Sequence, residues 1–279
     1  MEDELIRLST LGWKVPMKDG DGIFTPKEID EGSISFPSEG YTGEEFNSEA
    51  SGFWARERAK CIWDLLAVNG IRTLWEIGAG NGNAAIPLRA REIKVFPIEP
   101  LRSGARTLSK NGFTTFHATL ESLSFPDNSI RAIGAFDVLE HLEFPNQLLA
   151  ETYRILEPGG IFICSVPAYQ WLFSDFDTSI GHYRRYSRKS LKTLINSAGL
   201  ETQSTTSLFG YLVLPAFVLR RIPYLLGRRN AYSQTTESSG GNSQMLDTLS
   251  PVFGIAGRFE RLVKLRIGLS IILISKKQN

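Results

Sequence analysis

The run Glu76-Ile77-Gly78-Ala79-Gly80-Asn81-Gly82 follows the apolar pair Leu74-Trp75 and leads into a helical stretch near Asn83. Three glycines in five residues let a backbone turn sharply and approach a ligand closely, and the helix behind them offers free N–H groups to an anion. Their spacing selects the ligand. A dinucleotide-binding turn wants its third glycine three residues after the second, where this chain has Asn83; here the third glycine comes after only two. The carboxylate of Glu76 would also repel a pyrophosphate, so a nicotinamide cofactor is disfavoured. An acid beside an amine, with N–H groups beside a carboxylate, suits a zwitterionic amino-acid tail, the methionyl end of S-adenosylmethionine. Glu99 closes the next apolar run, 17 residues beyond Gly82, where an acid accepts both hydrogens of a ribose diol.

On both sides of this loop, short apolar runs alternate with helical stretches. Residues 74–77, 95–98, 114–117, 130–136 and 161–166 read as strands, 202–207 as a sixth and the β-branched run 268–275 as a seventh. Residues 53–68 carry Cys61, Ile62, Leu65 and Leu66 at helical spacing before the stop Asn69-Gly70. Residues 102–111 form a helix ended by Gly112. Leu148, Leu149, Thr152 and Ile155 mark another helix face, and Ser187 caps a helix that buries Leu191, Leu194 and Ile195. Such alternation implies an α/β fold, a Rossmann-like, seven-stranded, mostly parallel sheet with helices on both faces. Residues 207–265, far longer than an ordinary connection, form a helical insert before the last strand. Residues 1–50, rich in Gly, Ser and acids with thinly scattered apolar positions, read as an extended N-terminal arm, and 51–279 as the domain.

Of the 279 residues 42% are hydrophobic and 22% charged, the balance of a globular chain and not a disordered one. Thirty-one basic against 30 acidic side chains leave a net charge of +1, so no chain-wide basic field invites nucleic acid. Cys61 and Cys164 are the only cysteines, which excludes a disulfide framework and a Cys-rich zinc site and fits a reducing compartment. The acidic start Met1-Glu2-Asp3-Glu4 lacks the apolar core of a signal peptide, and a cytoplasmic protein is expected. Residues 208–219 are apolar but too short to span a bilayer, and they run into Arg220-Arg221. Segment 207–229 therefore reads as a cap over an acceptor pocket or as a contact with an anionic inner-membrane surface.

Together these features resemble the class I S-adenosylmethionine-dependent methyltransferases over residues 50–279. More narrowly, the chain is similar to bacterial members associated with cell-surface polysaccharide or glycolipid genes. That likeness rests on Phe53-Trp54 with Arg56 and Arg58, on Asp137-Val138-Leu139-Glu140-His141, and on Glu157-Pro158-Gly159-Gly160. Gly181-His182-Tyr183-Arg184-Arg185-Tyr186 and the closing Gly268-Leu269-Ser270 complete it. The resemblance implies that Glu76, Gly78, Gly80, Gly82, Glu99, Thr119, Leu120, Phe136 and Asp137 line the cofactor. It also implies an Asp, for the adenine amino group, where this chain has Thr119; a hydroxyl or nearby backbone would replace it, in a neutral hydrogen bond worth roughly 0.5–1.5 kcal/mol.

Ligands of such sheets lie across the carboxyl ends of the strands. His141 and His182 follow strands at that rim, and either can serve as base for a hydroxyl acceptor. Asp177 lies close to His182 in sequence. Tyr183, Arg184, Arg185 and Trp54 are the candidate acceptor contacts, the arginines as forks for a phosphate or carboxylate. Asp137, Glu140 and His141 also have the spacing of a metal-binding triad of some quinone-pathway O-methyltransferases; the same run is common without metal, and no metal is assigned. The expected activity is methyl transfer from S-adenosylmethionine to oxygen of a small-molecule, sugar or lipid-linked acceptor. The alternative is a cofactor-binding, catalytically idle subunit.

Overall fold

Six strands line up in the order β4-β3-β5-β6-β8-β7 in a computed structural model that describes residues 2–28, 53–225 and 267–278. They are β3 (Thr73–Ile77), β4 (Lys94–Ile98), β5 (Ile130–Phe136), β6 (Leu156–Pro167), β7 (Leu200–Leu208) and β8 (Ser270–Lys277). β4, β3, β5 and β6 run parallel, and β8 enters antiparallel between β6 and β7. The run Ile271–Ile274 in β8 is fully buried, as a strand with neighbours on both sides requires.

The strand expected at 114–117, third of the seven in chain order, shrinks to single-residue bridges from Phe116 to Ile98 and to Phe24. Pro97 supplies the reason. Its carbonyl accepts the Phe116 N–H at 2.9 Å, so the side of β4 facing that edge is the side on which proline has no N–H to give. The Phe116 carbonyl still accepts the Glu99 N–H at 2.8 Å, but Pro97 has no N–H for the next bond towards residue 114, and the strand does not extend that way.

Alternate residues of the strands feed two cores. Trp75, Ile77, Phe96, Ile98, Ile133 and Phe162 pack with Leu148, Leu149 and Ile155 of α5 (Pro145–Ile155) and with Leu191 and Ile195 of α7 (Arg188–Ser197). Leu74, Val95, Ala132 and Ile161 pack on the other face against α2 (Phe53–Val68), α3 (Ala85–Arg89) and α4 (Arg102–Lys110). Helices thus cover both faces, as the alternation predicted, and α2 has the expected bounds. Ser187 caps α7 by accepting the Ser190 N–H at 2.9 Å.

Residues 2–28 differ from the extended, coreless arm expected of them. They form α1 (Glu2–Thr10) and a hairpin of β1 (Met17–Lys18) and β2 (Phe24–Thr25), and they bury Leu8, Trp13 and Ile23. The Trp13 ring stacks on Phe125 at 4.8 Å and its Nε1–H donates to the Leu123 carbonyl at 2.7 Å. β2 caps the Phe116 edge through the His117 N–H to the Phe24 carbonyl, 2.9 Å, so the sheet ends covered rather than open. Of the insert, residues 209–225 are described as short helical turns that include α8 (Val213–Ala216) and α9 (Ile222–Leu225). Residues 226–266, and with them most of the expected cap, lie outside the described residues. Among the described residues no helix is long and apolar enough to cross a membrane.

Candidate functional site

The carboxyl ends of β3, β4 and β5 open on one edge, where a cavity of about 390 Å3 is lined by Gly78, Glu99, Thr119, Leu120, Asp137, His141 and Tyr183, among others. Its far wall, of Leu142, Phe144, Gln147 and Leu148, was not read from the sequence.

Gly78 ends β3 with φ +62°, and a Cβ there would stand 2.8 Å from Val138 Cγ2, so two separate constraints demand glycine. Behind it Glu76 is buried, and its Oε2 has no hydrogen-bond partner. Burial pushes its carboxyl up to about 8, Arg58 opposes that shift and Glu99 adds to it. A buried carboxylate oxygen without a partner beside a ligand loop fits an ammonium group, although Glu76, Gly80 and Gly82 stand behind the cavity and are not among the residues that line it. The Asn81 side-chain amide is buried and likewise without a hydrogen-bond partner.

Glu99 follows β4 and is buried too. One of its oxygens accepts the Gly80 N–H at 2.6 Å and the other the Leu101 N–H at 2.8 Å. Burial raises it to about 7 against the pull of these two donors. A carboxylate has about four acceptor positions, so roughly two remain for hydroxyls. Gly104 in α4 holds this arrangement close: a Cβ there would lie 2.9 Å from both Glu99 Cγ and the Gly80 carbonyl.

Thr119 is engaged in a tight loop, its Oγ1 accepting the Ser122 N–H at 3.3 Å, while its residue lines the cavity beside Leu120. Asp137 closes β5 at φ +57°; its carboxylate is paired to Arg58 and accepts the Ser165 hydroxyl at 3.0 Å. Arg58, named in the sequence only as part of a resemblance, is half-buried, and its charge faces Glu76 and Glu140. Phe136 is not among the cavity residues. It points into the core on the other face, its ring beside Gly134.

The two histidines come together, ring centroids 4.5 Å apart. His182 Nδ1 lies 3.0 Å from Asp177 Oδ1, which also accepts Arg185 Nε–H at 2.7 Å. Burial works against the charge of Asp177, yet the hydrogen bond from His182 and the Arg185 guanidinium outweigh it and hold Asp177 below the usual carboxylate range. Burial, helped by the neighbouring His182, lowers His141 to about 4, so its imidazole is neutral near pH 7. Arg185 is thus committed to Asp177 and the Ala168 carbonyl and does not line the cavity. Arg184 donates to the Glu143 carbonyl at 2.8 Å. Tyr183 is half-exposed at the cavity mouth, whereas Trp54 packs edge-on against Phe209 at 4.1 Å, away from it.

A family model described as a methyltransferase domain matches residues 46–205. A relative from Mycolicibacterium smegmatis, named a probable S-adenosylmethionine-dependent methyltransferase, is 34% identical over 95 residues, 33% of this chain and 37% of that protein. An uncharacterized methyltransferase of Mycobacterium marinum is 27% identical over 154 residues, 50% of this chain and 60% of that one. The chain spans between 37% and 60% of the length of these curated relatives. Among solved structures, phosphoethanolamine N-methyltransferase 2 of Haemonchus contortus in complex with S-adenosyl-L-methionine has a TM-score of 0.51 at 12% identity, over 87% of this chain and 60% of that one. A SAM-dependent methyltransferase of Thermotoga maritima has 0.50 at 20%, over 80% and 91%. These two likenesses concern the fold. The family match is of another kind, for it runs from before α2 into β7 and takes in the glycine loop and both histidines, more than half of the chain, which therefore belongs to this methyltransferase domain family.

Proposed function

We propose that the protein is an S-adenosylmethionine-dependent methyltransferase that methylates an oxygen of a small-molecule, sugar or lipid-linked acceptor. The observation that carries this reading is the pairing of Glu76, buried with an unpartnered oxygen, and Glu99, buried with two acceptor positions left over, on either side of the glycine loop. Bound there, the cofactor supplies a methyl group on a cationic sulfur. Glu76 answers the ammonium of its methionyl end, the loop amides and Asn81 answer the carboxylate, and Glu99 takes the ribose diol. Thr119 and Leu120 flank the adenine. Asp137, held by Arg58 and Ser165, closes the floor between the two halves.

The acceptor enters beside His141 and Tyr183, and its hydroxyl is activated at the cluster of His141, His182 and Asp177. In-line displacement asks mainly for alignment and exclusion of water, which the apolar wall of Leu142, Phe144 and Leu148 provides. Segment 207–229 lies at an anionic inner-membrane surface in this reading; Leu214, Val218 and Leu225 are exposed beside Arg221, and none of the described residues of that segment lines the cavity. Calorimetric titration with S-adenosylmethionine, S-adenosylhomocysteine and NAD tests the assignment. Binding of the first two without the third is expected, and binding of NAD alone would overturn it. His182→Ala should keep cofactor affinity and lower turnover.

A further inference from the structure

Glu140, His141 and His182 each present one ligand atom, and these atoms all lie within 4.8 Å of one another. The contact joins two loops distant in sequence, pinned together by the Tyr183 N–H donating to the Glu140 carbonyl at 2.8 Å. Glu140 is completely buried, and neither carboxylate oxygen accepts a hydrogen bond from another residue. His182 points at it from the other side. Its Nδ1 lies against Asp177, and its Nε2 faces Glu140 Oε1 across 4.0 Å. A buried carboxylate that accepts no hydrogen bond from another residue, facing a ring nitrogen at that separation, leaves a place for a cation between them.

We propose that Glu140, His141 and His182 hold one divalent first-row transition ion, with Asp177 orienting His182 from behind. Asp177 plays the part of the carboxylate that fixes the tautomer of a ligating imidazole, and Arg185 in turn fixes Asp177. Two imidazoles and one carboxylate suit Zn2+, Mn2+ or Fe2+ better than Mg2+, which prefers oxygen alone and keeps its waters. Asp137, the third member suggested by spacing, is not among the converging ligand atoms; its carboxylate is turned to Arg58 and Ser165. Burial sets the competing arrangement, a protonated Glu140 with no ion, and the charges of Arg58 and Arg185 oppose it.

The ion's task rests on the methyltransferase reading. His141 borders the cavity, so coordination positions not filled by protein face the acceptor. An acceptor hydroxyl that ligates the ion gives its proton to solvent. The oxygen's electron pair then forms the O–CH3 bond as the S–CH3 bond breaks, and that pair stays on sulfur, leaving neutral S-adenosylhomocysteine.

The test uses tag-free full-length protein dialysed against a chelator and then against buffer. Co2+ uptake is followed by its visible absorption, Zn2+ and Mn2+ binding by calorimetry, and S-adenosylhomocysteine binding in the same samples. One ion per chain is expected, with Glu140→Gln and His182→Gln each weakening it at least tenfold and Asp177→Asn by 10- to 100-fold. Zn2+ should raise the melting temperature of the parent and not of Glu140→Gln, a readout that survives a loss of stability in the variant. No uptake, or uptake that these variants leave unchanged, overturns the site. If S-adenosylhomocysteine still binds in that case, the methyltransferase reading stands without the ion; if it does not, both fall.

Discussion

Removing the Glu99 carboxylate is the perturbation whose size the structure fixes best. Two of its four acceptor positions are used by the Gly80 and Leu101 N–H groups, at 2.6 and 2.8 Å, and two remain for a ribose diol. Hydrogen bonds to a charged acceptor are worth about 1.5–3 kcal/mol. Glu99→Ala should therefore raise the dissociation constant of S-adenosylhomocysteine by roughly 10- to 150-fold, measured by calorimetry at pH 8. The pH dependence is a second handle. Burial holds this carboxyl at about 7 in the free protein, and a pair of hydroxyl donors demands the ionised form, so a proton must leave on binding below that pH. Parental affinity should fall about tenfold per pH unit from 7 downward through this group. In Glu99→Gln that contribution is gone, and the ratio of variant to parental dissociation constants should shrink between pH 8 and 5.5. Glu76 titrates in both proteins and cancels in the ratio except for the smaller part of its shift that Glu99 contributes. An unaltered dissociation constant in Glu99→Ala, or a ratio equal at both pH values, refutes the ribose assignment.

Three further outcomes are expected. Without ligand, stability has the opposite sign of pH dependence. Both buried acids have folded-state values above the ordinary 4.5, so the stability present below about 4.5 is lost as pH rises through about 7 for Glu99 and about 8 for Glu76, roughly 3 kcal/mol for Glu99 alone. Thermal melts should show a falling midpoint from pH 5 to 8, and a flat or rising profile contradicts the burial argument. Gly104→Ala places a methyl 2.9 Å from both Glu99 Cγ and the rigid Gly80 carbonyl, and should cost about 1–3 kcal/mol and weaken S-adenosylhomocysteine about tenfold; wild-type affinity in calorimetry would show that the loop gives way freely. Trp13→Ala should cost about 3–5 kcal/mol in denaturant unfolding, because its ring fills a buried space among Phe125, Trp75 and Phe116 and its N–H bonds the Leu123 carbonyl; a loss below 1 kcal/mol would mean that the N-terminal segment is not part of the folded core.

What the sequence made legible was local. The glycine loop, the bounds of α2, the Ser187 cap and the apolar run of β8 each carry their signal within a few residues, and each lies where it was read. The strand at 114–117 failed for a reason also written locally but on its neighbour, the missing N–H of Pro97. The period of two along β5 was equally available. With Asp137 facing the cavity, Phe136 belongs to the opposite face, and the resemblance had placed both on one side. The segment 2–28 gave no such clue. Leu8 and Trp13 are sparse in their own neighbourhood, and the partners of the Trp13 ring and N–H, Phe125 and Leu123, lie more than a hundred residues away.

The histidine cluster shows where local reading stops. His141 and His182 were candidates because each follows a strand at the rim, and Asp177 because it precedes His182 by one short helical turn. The spacing set Glu140 beside His141 and Asp137, but nothing near it pointed to His182, because that contact depends on a bond between two loops, the Tyr183 N–H to the Glu140 carbonyl. That bond brings a buried carboxylate against an imidazole whose other nitrogen lies on Asp177, and Arg185 is turned to Asp177 as well. The fork expected to grip substrate instead stiffens the acid behind a histidine. Arg185→Lys, which keeps charge but loses the planar fork, should therefore alter turnover and metal affinity together, whereas Arg184→Lys, bonded to the exposed Glu143 carbonyl and lying over the Tyr183 ring, should leave metal affinity unchanged. Equal effects of the two substitutions on metal affinity would show that Arg185 does not act through Asp177.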